Sequence, residues 1–146
     1  MSGMFYKNFF DLSIDMFCIA NAEGYFIELN QRWSETLGYS IEELKSKPYV
    51  EFVHPDDRGD TQNATVKLSK GEPVFTFKNR YIHKSGKVVW LSWNSVNRDG
   101  IVYAVARDIT SEIENELLLD QLQKNAKIGG WKHDYSRNFA KNASSN

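Results

Sequence analysis

An α+β domain, with short helices packed against one face of an antiparallel sheet, is what the pattern of this sequence predicts. From Val74 onward the hydrophobic period is two, and the Ser85-Gly86 and Asp99-Gly100 dipeptides cut that stretch into three strands of an antiparallel meander. An earlier hairpin signal lies where apolar runs flank Asn21-Ala-Glu-Gly24, and most helix signals fall between the two blocks. The 146 residues suit one domain.

Phe5 to Leu12 is apolar at helical spacing and reads as a short leading helix. Asp15 to Ala20 and Tyr25 to Leu29 are the two early strands, with Gly24 supplying the positive φ of the turn between them. Asn30 offers a side-chain oxygen to the free amides of a helix carrying Trp33 and Leu37, and Gly38 ends it. Ser40 and Glu43 form a capping box for a second short helix, closed by Pro48. After His54-Pro55 a longer helix is expected from about Asp56 to Lys70, its first acids complementing the helix dipole and Gly71 stopping it. The meander then runs Val74 to His83, with Phe75, Phe77, Asn79 and Tyr81 on one face, Val88 to Val96, and Ile101 to Arg107. Ser111 and Glu114 make a second capping box and open a final helix with Ile113, Leu117, Leu118, Leu119 and Leu122, too apolar to be purely solvated and too irregular for a clean heptad.

Composition narrows the function. Eighteen Lys and Arg against nineteen Asp and Glu give a net charge of −1, which argues against a basic nucleic-acid footprint or a polybasic membrane segment. The hydrophobic fraction of 41% and charged fraction of 25% are ordinary for a globular chain and speak against bulk disorder. A single cysteine, Cys18, forbids an internal disulfide. No apolar run approaches the roughly 20 residues that span a bilayer, and the first ten residues lack a signal-peptide pattern. A soluble cytoplasmic domain without membrane insertion is the expectation.

No catalytic constellation is found. His54, His83 and His133 are the only histidines, and none accompanies a Ser or Cys nucleophile in a recognisable motif. His54 reads as a hydrogen-bonding turn residue and His83 as a surface residue. No paired His or Cys spacing suits a metal, and the glycines are scattered singly rather than forming a phosphate loop. Asp56, Asp57 and Asp60 read as helix-start charges, and Cys18, in an apolar strand, as core. Trp90 and Trp93 have opposite parity on one strand, so one enters the core or a cavity while the other lies on the outer sheet face. These features favour a binding or regulatory module over an enzyme.

In order and spacing, Asp15-Met-Phe-Cys-Ile-Ala-Asn-Ala-Glu-Gly24, Leu29-Asn30, Leu37-Gly-Tyr-Ser-Ile-Glu-Glu-Leu44, Phe52-Val-His-Pro-Asp-Asp-Arg58, Tyr81-Ile-His-Lys-Ser-Gly86, Val89-Trp-Leu91 and Ala106-Arg-Asp-Ile-Thr110 resemble a PAS (Per-Arnt-Sim) sensory domain with its PAC segment. The resemblance covers about Phe9 to Thr110. It implies the PAS fold, a five-stranded antiparallel sheet in the order 2-1-5-4-3 with short helices on one face and a C-terminal linker helix. It also implies that Asp108 and Thr110 form the hinge relaying a signal to that helix, with Thr110 capping it. The segments are then 1–110 for the PAS/PAC domain with its leading helix, 111–128 for the signalling linker, and 129–146 for a flexible tail or the start of a second PAS domain, since Ala126-Lys-Ile-Gly-Gly-Trp131 resembles such an opening.

Flavin photoreceptors of the family carry an adduct-forming cysteine after the Gly-Tyr helix, where this chain reads Lys45-Ser-Lys-Pro-Tyr-Val50, so no flavin photoadduct is expected. Haem-binding members use a histidine in the long helix, and Thr61 to Lys70 has none. A small organic ligand, or a filled core, remains. Candidate pocket residues are Phe17, Trp33, Leu37, Phe52, Phe77, Tyr81, Leu91 and Trp93, with Asn79 and Ser95 as polar anchors.

Functionally the resemblance implies the sensory module of a bacterial signalling protein, a histidine kinase foremost, with a diguanylate cyclase or phosphodiesterase parent as the alternative. A second alternative is a ligand-free dimerisation module. Homodimerisation through the leading helix, the outer sheet face and the Ile113, Leu117, Leu119 and Leu122 helix is expected, as is an adjacent PAS or output domain in the parent chain. Neither nucleic acid nor metal is expected as a partner.

Overall fold

A computed structural model describes residues 2–128. Two compact units divide at the Ile109–Thr110 bond. The first opens with α1 (Ser2–Leu12), followed by strands β1 (Met16–Ala20) and β2 (Phe26–Leu29) and helices α2 (Gln31–Leu37) and α3 (Ile41–Lys45). Two single 3-10 turns, Tyr49–Phe52 and Pro55–Asp57, lead into α4 (Arg58–Ser69), and β3 (Val74–Ile82), β4 (Val88–Arg98) and β5 (Ile101–Asp108) complete it. All strands are antiparallel in one sheet of order β2-β1-β5-β4-β3, the order that the family resemblance implies.

Local chemistry explains the elements. Ser40 and Glu43 form the expected reciprocal capping box, with Ser40 Oγ accepting from the Glu43 N–H at 3.0 Å and Glu43 Oε1 from the Ser40 N–H at 2.8 Å. Gly38 closes α2 at φ +82°, and an added Cβ would lie 2.7 Å from the His83 ring, so this glycine meets both a backbone and a packing demand. His83 is therefore half-buried against Gly38 rather than free on the surface. His54 Nδ1 accepts the Asp56 N–H at 3.1 Å, the turn role expected of it.

Asn30 and β3 depart from the sequence expectation. Asn30 precedes α2, but its side chain does not cap that helix. Buried completely, it accepts the Phe17 N–H at 3.0 Å and donates to the Phe10 and Asp15 carbonyls at 2.8 and 2.9 Å, pinning the end of α1 to β1. Strict alternation also fails in β3. The ladder shifts register between Val74 and Phe77, with Thr76 at φ +55° and its N–H on Asn94 Oδ1. This bulge turns Val74 inward and leaves Phe75, expected beside Phe77 and Tyr81, exposed on the opposite face. A β-branched residue pays for that φ in strain. Thr76→Gly is accordingly expected to raise stability by roughly 0.5–1 kcal/mol, the relieved strain exceeding glycine's added chain entropy. A lower thermal midpoint for the variant would show that the Thr76 side chain contributes more than its backbone costs.

The inner face of the sheet carries the core. Met16, Cys18, Phe26, Leu29, Tyr81, Val89, Leu91, Trp93, Ala104 and Ala106 pack beneath Trp33, Leu37, Leu44, Phe52 and Val53. Trp33 is the hub, its ring centroid 4.8 Å from Phe26, 5.5 Å from Trp93 and 6.0 Å from Tyr81. The leading helix departs from the expectation that all helices share one face, since Tyr6 and Phe10 of α1 border a groove with Phe17, Phe75 and Tyr103 on the outer side of the sheet. The second unit is described through α5 (Thr110–Ile128). The stretch from 129 onward, expected to be a tail or the start of another PAS domain, lies outside the described residues.

Candidate ligand cavity

Small side chains in register across the sheet leave a space that large ones would fill. Cys18 on β1 pairs with Ala104 on β5, Ala104 with Ser95 on β4, and Ser95 with Val74 on β3, one cross-strand row whose side chains all face inward. Above this floor Thr61, Ala64, Thr65 and Leu68 of α4 form a roof, and Phe26, Tyr49, Phe77, Asn79, Tyr81 and Trp93 make the walls. The cavity offers about 50 Å³ to a water-sized sphere. On that measure a water takes roughly 10–15 Å³, so the space suits about four waters or an organic group of similar bulk.

Its polar groups divide into spent and unspent. Thr61 Oγ1 donates to the Asp57 carbonyl at 2.8 Å and accepts from Asn79 Nδ2 at 3.0 Å, while Asn79 Oδ1 accepts from Trp93 Nε1 at 2.9 Å. Thr65 Oγ1 donates to the Thr61 carbonyl at 3.1 Å, which leaves the Tyr49 hydroxyl as donor in its 2.9 Å bond to Thr65. The Asn79 amide is thus fixed in orientation by its neighbours. The hydroxyls of Tyr81, 1% exposed, and Ser95, 6% exposed, make no hydrogen bond among the described residues. Burial pushes the Tyr81 and Tyr49 hydroxyls and the Cys18 thiol up from their ordinary values, so all three stay protonated and neutral near pH 7. A buried thiol held protonated is a poor nucleophile, and Cys18 serves as floor.

Of the ten pocket residues expected from the sequence, the structure gathers Phe77, Asn79, Tyr81, Trp93 and Ser95 around the cavity. Trp33, Leu37, Phe52 and Leu91 are buried but pack in the core beside it rather than line it. Phe17 is corrected outright. Its parity on β1 is opposite to Cys18, and it faces outward to stack on Phe10 at 5.9 Å. The floor residues Ala20, Cys18 and Ala104 and the roof residues Thr61, Ala64 and Thr65 were missed. The signal that could have found them is a run of small side chains at inward positions of β1 and β5.

One ion pair braces the roof. Arg80 Nη2 reaches Asp57 Oδ1 at 2.6 Å, Arg80 Nε reaches Oδ2 at 3.0 Å, and the Arg80 N–H donates to Oδ2 at 2.7 Å. Asp57, expected only to complement the helix dipole, therefore ties the start of α4 to β3, and the Arg80 guanidinium lies 5.4 Å over the outward-facing Trp90 ring. The side-chain hydrogen bonds from Arg80 hold the Asp57 carboxyl below its ordinary value of 3.8. A depressed folded-state value gives stability that is present above the unfolded value and is lost as pH falls through the folded one. Unfolding midpoints should thus drop as pH is lowered past 3.8, and Asp57→Asn should flatten that acid limb. Parallel acid limbs in the two proteins would show that other carboxylates control it.

The central strand β5 ends on Asp108, and the Ile109 N–H donates to the Trp90 carbonyl at 2.9 Å. Thr110, expected as the cap of the outgoing helix, is itself the first residue of α5. Within α5, Leu117 and Leu122 are exposed, whereas Ile113 and Leu119 are half-buried. Among the described residues no group of three His, Cys, Asp or Glu is placed to hold a metal, and no helix is long and apolar enough to cross a membrane.

Residues 26–105 match the family model described as PAS fold, more than half of the chain. The chain is 28% identical over 86 residues to the probable diguanylate cyclase DgcE of Escherichia coli and 34% identical over 90 residues to the biofilm dispersion protein BdlA of Pseudomonas aeruginosa. Each alignment takes 58% of this chain, but only 8% of DgcE and 21% of BdlA, so the chain spans a small part of the curated relatives it matches. Among solved structures, the PAS domain of an HTR-like protein from Haloarcula marismortui is 28% identical, with 74% of this chain and 92% of that one covered at a TM-score of 0.62. A domain of a sensory box sensor histidine kinase/response regulator from Geobacter sulfurreducens shares the fold at 21% identity and a TM-score of 0.65, covering 73% of this chain and 94% of that one. Strand order and sequence match agree, and the chain belongs to the PAS family, its first unit being a PAS sensory domain.

Proposed function

We propose that this domain is the ligand-holding sensor of a longer signal-transduction protein, taking a small molecule between α4 and the sheet and relaying its presence through α5. The observation that carries this is the cavity itself, bordered by the Tyr81 and Ser95 hydroxyls, which have no hydrogen-bond partner among the described residues, in a fold shared with sensor proteins. A histidine kinase parent is the first choice, in keeping with the sensor histidine kinase/response regulator whose domain shares the fold. A diguanylate cyclase parent is the alternative, in keeping with DgcE. No flavin adduct or haem enters this proposal, and the segment works as a cytoplasmic binding module rather than as an enzyme.

The protein acts as a homodimer. Met4, Phe5, Phe9 and Leu12 of α1 and Leu117 and Leu122 of α5 are exposed apolar residues of the kind that association covers. Its neighbours in the parent chain are a further PAS or output domain, with no nucleic acid involved.

Hydrogen exchange, measured with and without the low-molecular-mass fraction of a cell extract, tests the sensor role. Occupancy should slow exchange in α4 and β3 and alter it in α5. No change in any element, or a change confined to the cavity wall, would contradict the sensor role.

A further inference from the structure

We propose that the cavity selects small neutral molecules bearing a hydrogen-bond acceptor such as a carbonyl oxygen, received by the Tyr81 hydroxyl, and rejects ions of either sign. This inference deepens the ligand-binding role proposed above and rests on it. The Tyr81 ring is held between Trp33 and Trp93, at 6.0 and 5.8 Å, so its direction is fixed. Tyr81 borders the same cavity as Cys18 and Tyr49, and its hydroxyl donates to no described residue. The neighbouring polar groups are already committed: Asn79 to Thr61 and Trp93, and Tyr49 to Thr65. A hydroxyl that borders the cavity with no acceptor among the described residues is free to donate to a ligand oxygen.

Charge is excluded by the lining. Among the described residues no Asp, Glu, Lys, Arg or His lines the cavity, and most of the surface is carbon. An ion entering would surrender its hydration with no countercharge to replace it. Size is bounded too, because the floor row and the α4 roof leave about 50 Å³ to a water-sized sphere.

The test titrates four near-isosteric probes into the full ¹⁵N-labelled chain: acetone, isobutene, acetate and isopropylammonium. The amide resonances of Asn79, Tyr81 and Ser95 report occupancy. Acetone should shift them saturably and the two ions should not. Tyr81→Phe keeps the ring and removes only the unpaired hydroxyl, so its melting temperature should not fall. It should weaken acetone about tenfold and leave isobutene unchanged. An unchanged acetone affinity in Tyr81→Phe, or ions binding as well as acetone, would overturn the assigned ligand class while leaving the cavity a ligand site. If no probe, isobutene included, moves a cavity resonance, both the class and the ligand-binding role fail.

Discussion

Replacing Trp33 by alanine is expected to remove about 3–5 kcal/mol of folding stability, a large part of the about 5–15 kcal/mol that a domain of this kind has. Trp33 is fully buried, touches the rings of Phe26, Tyr81 and Trp93, and donates its Nε1–H to the Phe17 carbonyl at 3.0 Å. Truncation takes away the apolar contacts and leaves a void that the rigid sheet beneath cannot collapse into. Because Tyr81 and Trp93 line the cavity and lean on Trp33, the variant should also lose probe binding at temperatures where it remains folded. Urea unfolding measures the first effect, and a loss under about 1 kcal/mol would show that the ring is peripheral to the core.

Asn30→Leu should be nearly as costly, at about 2–5 kcal/mol, although leucine has a similar volume. The substitution leaves the Phe17 N–H and the Phe10 and Asp15 carbonyls without the bonds Asn30 gives them, in a site with no exposure. Two of those groups belong to β1 and the loop before it, while the Phe10 carbonyl lies in the last turn of α1. The expected signature is therefore double: a lower unfolding midpoint and early proteolytic cleavage between α1 and β1. Cleavage at the wild-type rate would mean that the Phe10–Phe17 ring contact alone holds the helix.

The role of Asn30 is set by contacts far from it in sequence. An Asn before a helical pattern satisfies local capping chemistry, and nothing local indicates that its amide is claimed by residues thirteen to twenty positions away. The capping box at Ser40 and Glu43 was legible because both partners lie within one turn. The meander was legible for the same reason, since period-two patterning and Gly turns are local signals. The bulge at Thr76 was not, for it breaks the period within a strand and reverses the parity of Phe75 relative to Tyr81.

The cavity shows the same division. Period two puts Asn79 with Tyr81 on one face of β3 and Trp93 with Ser95 on one face of β4, but it does not say which face turns inward, and the large aromatic side chains on these strands fill space rather than open it. The opening comes instead from Cys18, Ala104 and Ser95 falling in one row, a register set by pairing strands distant in sequence. Every residue of β1 is apolar, so hydrophobicity alone does not fix which parity faces the core, and Phe17 lies on the outward one.

Ala104→Leu tests most directly whether that row borders real space. The added carbons match the bulk of about four waters that the cavity can hold, and Ala104 lines the floor at 7% exposure. The urea unfolding midpoint of Ala104→Leu should equal or exceed that of the parent, since the new side chain buries apolar surface inside the cavity that Ala104 lines. A loss of about 1–3 kcal/mol, the usual cost of overpacking a filled core, would contradict the existence of a cavity built for a ligand.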